Sequence, residues 1–273
     1  MTTFLNDEIL LNLKKSEAIY NKVAKLSQHI FYGDSLSDRE THMKELEFLL
    51  KGIKGTDAHL TIFNHKTFAP ELEVGHIEFW GPLPEGTMQE RMITILGLLD
   101  KEYRQFPYES VEWFTKVLLE IPFEERVNMK IHHSCMRFTC MNGKPISIFS
   151  QGMPIQVDEE RNFNYTLNYV QNIYHLIKKD FPYYWIRFQY GQQTQFVQSF
   201  HSDDKIYSKH DLLSVREKEI LSLIADDLDT KEIAKKLFIS VNTVGNHRSK
   251  MIDKLGARDT TALVQLAKMA GMI

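Results

Sequence analysis

The sequence predicts two unlike folding units: an α+β domain with helices gathered on one side of an antiparallel sheet, then an all-α unit of four short helices. Two observations predict this. Between residues 136 and 190, short segments alternate apolar and polar side chains around a strong hairpin turn. From residue 212 onward the period becomes helical, and three helix-start signatures follow in close succession. A chain of 273 residues fits two domains at about 100–200 residues each.

The elements follow in order. Glu8–Ile30 has helical spacing, with Leu11, Ala18 and Val23 among polar residues. A second helix is expected over Ser37–Leu50, opening at a Ser/Asp cluster and closing before Gly52, so residues 1–55 read as an N-terminal helical extension. Asp57–Phe63 and Val74–Trp80 are expected as strands, followed by a turn at Gly81-Pro82 with Pro84 and Gly86. Met88–Tyr103 and Ser110–Leu119 are expected as helices. Met136–Met141 then leads into Asn142-Gly143, a dipeptide suited to the positive φ angles of a tight hairpin, and Lys144–Gln151 returns. In Asn162–Val170, Phe163, Tyr165, Leu167 and Tyr169 alternate with Asn162, Asn164, Thr166 and Asn168, and Tyr183–Tyr190 adds one more strand. Gln192–Asp211 is polar. Its later half, residues 199–211, reads as a linker, which leaves residues 56–198 as the sheet domain and 212–273 as the helical one.

Composition narrows the function classes. With 43% hydrophobic and 25% charged residues the chain has the make-up of an ordinary globular protein. No apolar run reaches the roughly 20 residues that span a bilayer. Asn6, Asp7 and Glu8 stand where a secretory signal would need basic and then apolar residues, so a cytoplasmic location without membrane attachment is expected. Cys135 and Cys140 sit at an odd spacing on an expected strand, which puts them on opposite faces and argues against a disulfide. The net charge is -3. From His210 to Ile273, seven Lys and three Arg stand against nine Asp and Glu, a net of +1, leaving -4 for the rest. The helical unit therefore has no bulk basic charge, and any nucleic-acid binding must come from where its cations sit.

In that unit, Ser214 with Glu217 forms a capping box ahead of Ile220, Leu221 and Ile224. Asp229 with Glu232 repeats the arrangement ahead of Ile233, Ala234 and Leu237, and Ser240 caps a helix over Val241–Leu255. Phe238-Ile239-Ser240 leaves room only for a tight turn between the second and third helices. The third helix has two faces. Val241, Val244, Met251, Ile252 and Leu255 form an expected core stripe. Asn242, Gly245, Asn246, Ser249 and Asp253 lie opposite, flanked by His247, Arg248, Lys250 and Lys254. Small and amide side chains suit base edges and flanking cations suit phosphates, so such a helix is able to enter a major groove. The bland alternative is a four-helix bundle with a solvated polar face.

Residues 213–273 also carry fixed spacings. These are Leu213-Ser214-x-Arg216-Glu217-x-Glu219, Lys231-Glu232-Ile233-Ala234-x-x-Leu237-x-Ile239-Ser240, Thr243-Val244-x-x-His247, Lys254-Leu255-Gly256, and Ala267-x-x-x-Gly271-x-Ile273. On these the segment resembles the LuxR-type helix-turn-helix of NarL- and FixJ-like regulators. The resemblance implies a transcription regulator that binds double-stranded DNA as a homodimer. It implies phosphate contacts from Thr243, His247 and Arg248 or Lys250, base-facing positions at Gly245, Asn246 and Ser249, and dimer contact from the last helix through Leu263, Leu266 and Ala270. With Asn242 added from the polar stripe, the expected DNA-binding set is Asn242, Thr243, Asn246, His247, Arg248, Ser249 and Lys250. Three features depart from the family pattern: Asp227 stands where Gly is usual, Gly245 stands where Lys or Arg is common, and Thr260 and its neighbours lack the Arg often found there.

Residues 57–175 resemble a PAS domain, through Leu96-Gly97, Ile121-Pro122-x-Glu124-Glu125, and Arg137 spaced to Gly143, Gly152, Pro154 and Ile155. That implies a sensor modulating the helix-turn-helix, with a small-molecule effector as one use of such domains. The residues themselves leave other readings open. His132, His133 and Cys135 are a metal or haem candidate against plain packing, and His201, Asp203, Asp204 and His210 a metal candidate against a solvated linker. Trp80, Trp113 and Trp185 line either a ligand pocket or the core. Glu124 and Glu125 are adjacent and so face different ways, which argues against an acid pair. The sequence has no nucleophile–base–orienter set, phosphate loop or paired-cysteine zinc spacing, so no enzyme activity, cofactor or metal is expected. The alternative to a DNA-binding regulator is a small-molecule-binding protein whose C-terminal bundle mediates protein association.

Overall fold

The computed structural model describes Lys44 and residues 57–273 except 65–68, 76–78, 84, 105–112, 114–115, 127, 158–162, 179–183 and 200–204. The helices expected over Glu8–Ile30 and Ser37–Leu50 therefore lie outside the described residues, Lys44 apart. The described residues form one eight-stranded antiparallel sheet in the order β2-β1-β5-β4-β3-β6-β7-β8. The strands are β1 (Ala58–Asn64), β2 (Ala69–Val74), β3 (Lys130–Thr139), β4 (Pro145–Val157), β5 (Phe163–Asn172), β6 (Tyr184–Tyr190), β7 (Gln193–Ser199) and β8 (Lys205–Ser208). Between β2 and β3 lie α1 (Met88–Gly97), a 3-10 turn (Lys101–Tyr103), a helical stretch at 116–120, and the single turn α2 (Phe123–Arg126).

The hairpin forms where Asn142-Gly143 predicts it. Gly143 takes φ +80, Cys140 N–H donates to the Lys144 carbonyl, and the Asn142 side chain accepts from Lys144 N–H. Three expectations change. The strand expected over Val74–Trp80 instead runs Ala69–Val74. It ends at Gly75, whose φ is +78 and where a Cβ would meet the Ala58 carbonyl oxygen at 2.5 Å, and Phe79 and Trp80 are helical. The hairpin strands reach well beyond the alternating segments, back to Lys130 and on to Val157. The segment read as a linker carries β8, which pairs with β7 from Phe196↔Ser208 to Ser199↔Lys205. Backbone pairing at a sheet edge needs no apolar alternation, so polar composition hid these strands.

The two faces of the sheet carry separate cores. The helices between β2 and β3 cover one face, where Trp80, Leu99, Tyr103, Ile131, Phe138, Cys140, Ile148, Ile186 and Phe188 cluster, with Trp113 packed against them. The other face presents Cys135, Phe149 and Trp185 to the C-terminal helices and shares one core with Ile220, Val244, Leu255, Leu263 and Leu266. The three tryptophans therefore do not line a common pocket: Trp80 and Trp113 belong to one core and Trp185 to the other. Both cysteines are free, and each serves a different core. Cys135 sits at a bulge with φ +75, and burial pushes its thiol up to about 12.

Candidate nucleic-acid interface

Residues 211–273 build four helices: α3 (Val215–Ala225), α4 (Thr230–Leu237), α5 (Val241–Leu255) and α6 (Thr260–Met269). Each begins at a side chain that satisfies a free amide of its first turn. Ser214 and Glu217 close a reciprocal capping box, as do Asp229 and Glu232. Ser240 accepts from Thr243 N–H at 3.0 Å, and Asp259 accepts from Ala262 N–H at 2.9 Å. Asp227, between α3 and α4, takes φ +67, the conformation that favours the glycine usual there. Phe238 ends α4 at φ +55 and is 95% exposed, and Ile239 N–H returns to the Ala234 carbonyl to set the tight turn.

Helix α5 is the two-sided element. Val244, Met251 and Leu255 are fully buried, while Asn242, Asn246, Ser249 and Lys250 are exposed. Thr243 and His247 are half-buried, and the Thr243 hydroxyl is paired with that of Ser240 at 2.8 Å. Val241, expected in the core stripe, is instead 46% exposed, because it begins the helix where α3 and α4 do not reach over it. Arg248, expected to be available to phosphates, donates to the Thr230 hydroxyl at 2.6 Å and so ties α5 to the start of α4. Lys254 is also held, by Glu217 at 2.7 Å. Burial of Glu217 would raise its pKa, but Lys254 and the Ser214 amide outweigh that and hold it below the usual carboxylate range. Asp253, read on the polar stripe, pairs with Lys178 at 2.6 Å. The exposed polar face thus runs from Asn242 to Lys250, with the exposed Lys231, Lys235 and Lys236 of α4 on the adjoining helix.

The helical unit is seated on the sheet by its other side. Lys178 N–H donates to the Gly256 carbonyl at 3.0 Å, Arg258 N–H to that of Leu176 at 2.8 Å, and Ile177 bridges Ala257. Trp185 Nε1 donates to the Leu255 carbonyl at 3.4 Å, and the Gln151 amide donates to the Met269 carbonyl. Arg187, 2% exposed, is the centre of this contact. Its guanidinium donates to Asp211 at 2.7 and 3.1 Å and to the Ala270 carbonyl at 2.9 Å, and Lys218 also pairs with Asp211. Asp211 is partly desolvated, yet Arg187 and Lys218 hold its pKa below the usual value. Sequence reasoning missed this site. The one signal was Arg187 in a strand that is apolar and aromatic apart from Gln189, where a buried cation needs an acid from elsewhere in the chain.

Seating also corrects the expectation for the last helix. Leu263, Leu266 and Ala270 are completely buried within the chain, because the two leucines fill the domain's own core and the Ala270 carbonyl meets Arg187. They are not available to a second copy in this arrangement. The other candidates separate as well. His132 lies in register with Gln151 and Arg187 on the face toward the helical unit, its ring tilted against Phe149 with centroids 5.8 Å apart, and burial with Arg187 beside it pushes its pKa down to about 3. His133 alternates to the opposite face. Among the described residues no group of three metal-ligating side chains comes together; His201, Asp203 and Asp204 lie outside them and His210 is exposed. Glu124 and Glu125 share the single turn α2. No described helix is long and apolar enough to cross a membrane.

Residues 211–267 match the family model of bacterial regulatory proteins, luxR family. The spore germination protein GerE of Bacillus subtilis is 43% identical over 67 residues, which are 24% of this chain and 90% of GerE. The oxygen regulatory protein NreC of Staphylococcus haemolyticus is 45% identical over 77 residues, 27% of this chain and 35% of NreC, so the chain spans about a third of that relative. Among solved structures, a complex of Vibrio cholera VqmA with ligand and DNA is similar over 84% of this chain and 87% of that one, at 12% identity and a TM-score of 0.30.

Proposed function

The chain belongs to the LuxR family of bacterial regulatory proteins, and from that premise we propose that it is a cytoplasmic, homodimeric, sequence-specific transcription regulator without catalytic activity. Helix α5 enters the major groove. Asn242, Asn246 and Ser249 face the bases, and Lys250, His247 and the hydroxyl of Thr243 lie toward phosphates. Arg248 acts one step back, tying α5 to the start of α4 through the Thr230 hydroxyl. The observation that carries the reading is the α5 face itself: Asn242, Asn246, Ser249 and Lys250 are exposed and polar, on a helix whose opposite side buries Val244, Met251 and Leu255 completely.

We divide the chain into a helical extension at 1–55, a sheet-based PAS-like sensor at 56–198, a connection at 199–211 and a DNA-binding domain at 212–273, with β8 extending the sensor's sheet into the connection. Support for the PAS-like part is the antiparallel sheet with the helices between β2 and β3 packed on one face. That helix-covered face is where a small-molecule effector would act.

The test is selection of bound duplexes from a randomised pool by the full chain. A recurrent motif is the expected result, and recovery of no preferred sequence would overturn the reading. On a recovered duplex, Lys250→Ala should weaken binding for all sequences alike and lower the salt slope by about 1.

A further inference from the structure

Gly245 stands in the middle of α5, four residues after Val241 and four before Ser249. Glycine weakens a helix interior relative to alanine, so it usually marks a place where a Cβ does not fit. Here a Cβ would meet nothing within 4 Å, and the backbone is ordinary right-handed helix. Nothing among the described residues accounts for the glycine. Its neighbours on the exposed side are unusual for a nucleic-acid surface. Val241 is 46% exposed and Phe238, three residues earlier, is 95% exposed. The rows Asn242/Asn246/Ser249 and Val241/Gly245 hold no charged side chain. The cations, Lys250 and the α4 lysines, stand beside these rows.

We infer that this face reads A·T base pairs at close range: Asn246 and Asn242 toward adenine, Val241 toward a thymine methyl group, with Gly245 letting the helix axis approach the groove floor. The inference rests on the DNA-binding reading above and deepens it. The chemistry is direct. Asn pairs with adenine N6 and N7, apolar side chains contact the thymine methyl, and guanine is read chiefly by Arg or Lys, which these rows lack. A missing Cβ at the centre of the rows shortens the distance from the α5 backbone to the bases. That gain exists only when DNA is bound, which fits a residue that costs stability in the free protein.

The experiment uses the full chain and the duplexes selected from the randomised pool. The core of the recovered half-site is expected to be A·T pairs. Replacing the contacted thymine by deoxyuridine, which removes only the methyl group, should weaken binding of the natural chain and leave Val241→Ser indifferent. Exchanging a core A·T for G·C should weaken it about 5- to 150-fold. Gly245→Ala should raise the melting temperature and still weaken binding to the selected duplex; opposite signs in the two readouts separate a groove contact from a folding defect. A recovered core of G·C pairs, indifference of the natural chain to deoxyuridine, or unchanged binding by a stabilised Gly245→Ala variant would overturn the inference while leaving DNA binding intact. Failure to recover any preferred duplex would overturn both.

Discussion

Replacing Arg187 with Met tests whether the helical unit is held to the sheet by the buried ion pair at its centre. Met keeps most of the side-chain volume, so the change removes charge and hydrogen bonds with little cavity. Two bonds to Asp211, one to the Ala270 carbonyl and one to the Gln189 side chain are lost together. Breaking a buried pair by removing one partner costs about 3–5 kcal/mol, because the other charge stays buried. Asp211 keeps Lys218 and the Leu212 amide, which places the expectation near the lower end, at about 3 kcal/mol. The loss should also be local. Hydrogen exchange should quicken at Ile177, Lys178, Leu255–Ala257 and the end of α6, while α4 and the start of α5, which rest on their own caps, stay protected. Asp211→Asn should also destabilise, and the double variant should lose less than the two single changes added together. Native-like exchange at these positions, or additivity of the two variants, would refute the claim that this pair seats the helical unit.

Other expectations follow from the same geometry. His132 is buried neutral, with its pKa pushed down to about 3, so it opposes folding when protonated. Stability should be full above about pH 6.5 and fall as pH drops toward 3, and His132→Phe should make acid unfolding shallower by up to about 1.4 kcal/mol per pH unit in that window. Asp211 has the same sign at lower pH: its depressed pKa contributes stability above the usual carboxylate range that is lost below about pH 4, a loss Asp211→Asn should not show in denaturant titrations. Asp227→Gly should raise stability by about 1 kcal/mol by relieving the left-handed backbone, as read by denaturant midpoint. Ser240→Ala should cost about 1 kcal/mol through its lost cap on α5, with fraying at Asn242 and Thr243 in exchange experiments.

The sequence was most informative where local chemistry decides structure. Ser214, Asp229 and Ser240 announced three helix starts, and Asn142-Gly143 announced the hairpin. The exposed and buried sides of α5 followed from spacing alone, apart from Val241, whose burial depends on whether a neighbouring helix reaches the first turn. Sheet edges were less legible. The β7–β8 pairing is a backbone interaction, and Gln193–Ser199 and Lys205–Ser208 carry no alternation that betrays it. Least legible were partners distant in sequence. That Arg248 would be held by Thr230, Lys254 by Glu217 and Asp253 by Lys178 cannot be read from a helical wheel, which shows only which side a residue takes. The seating of α6 on the sheet, with Arg187 reaching residue 270 across 83 positions, had no local signature at all.

The most direct test of the account is the ratio of dissociation constants for the selected duplex and a scrambled duplex of equal length, measured with the full chain at fixed salt near the physiological range. A regulator that reads bases through α5 should bind the selected duplex about 1000-fold or more tightly. Equal affinities with the same salt slope would mean that the chain meets only phosphates, and would contradict the assignment of the Asn242–Lys250 face to sequence recognition.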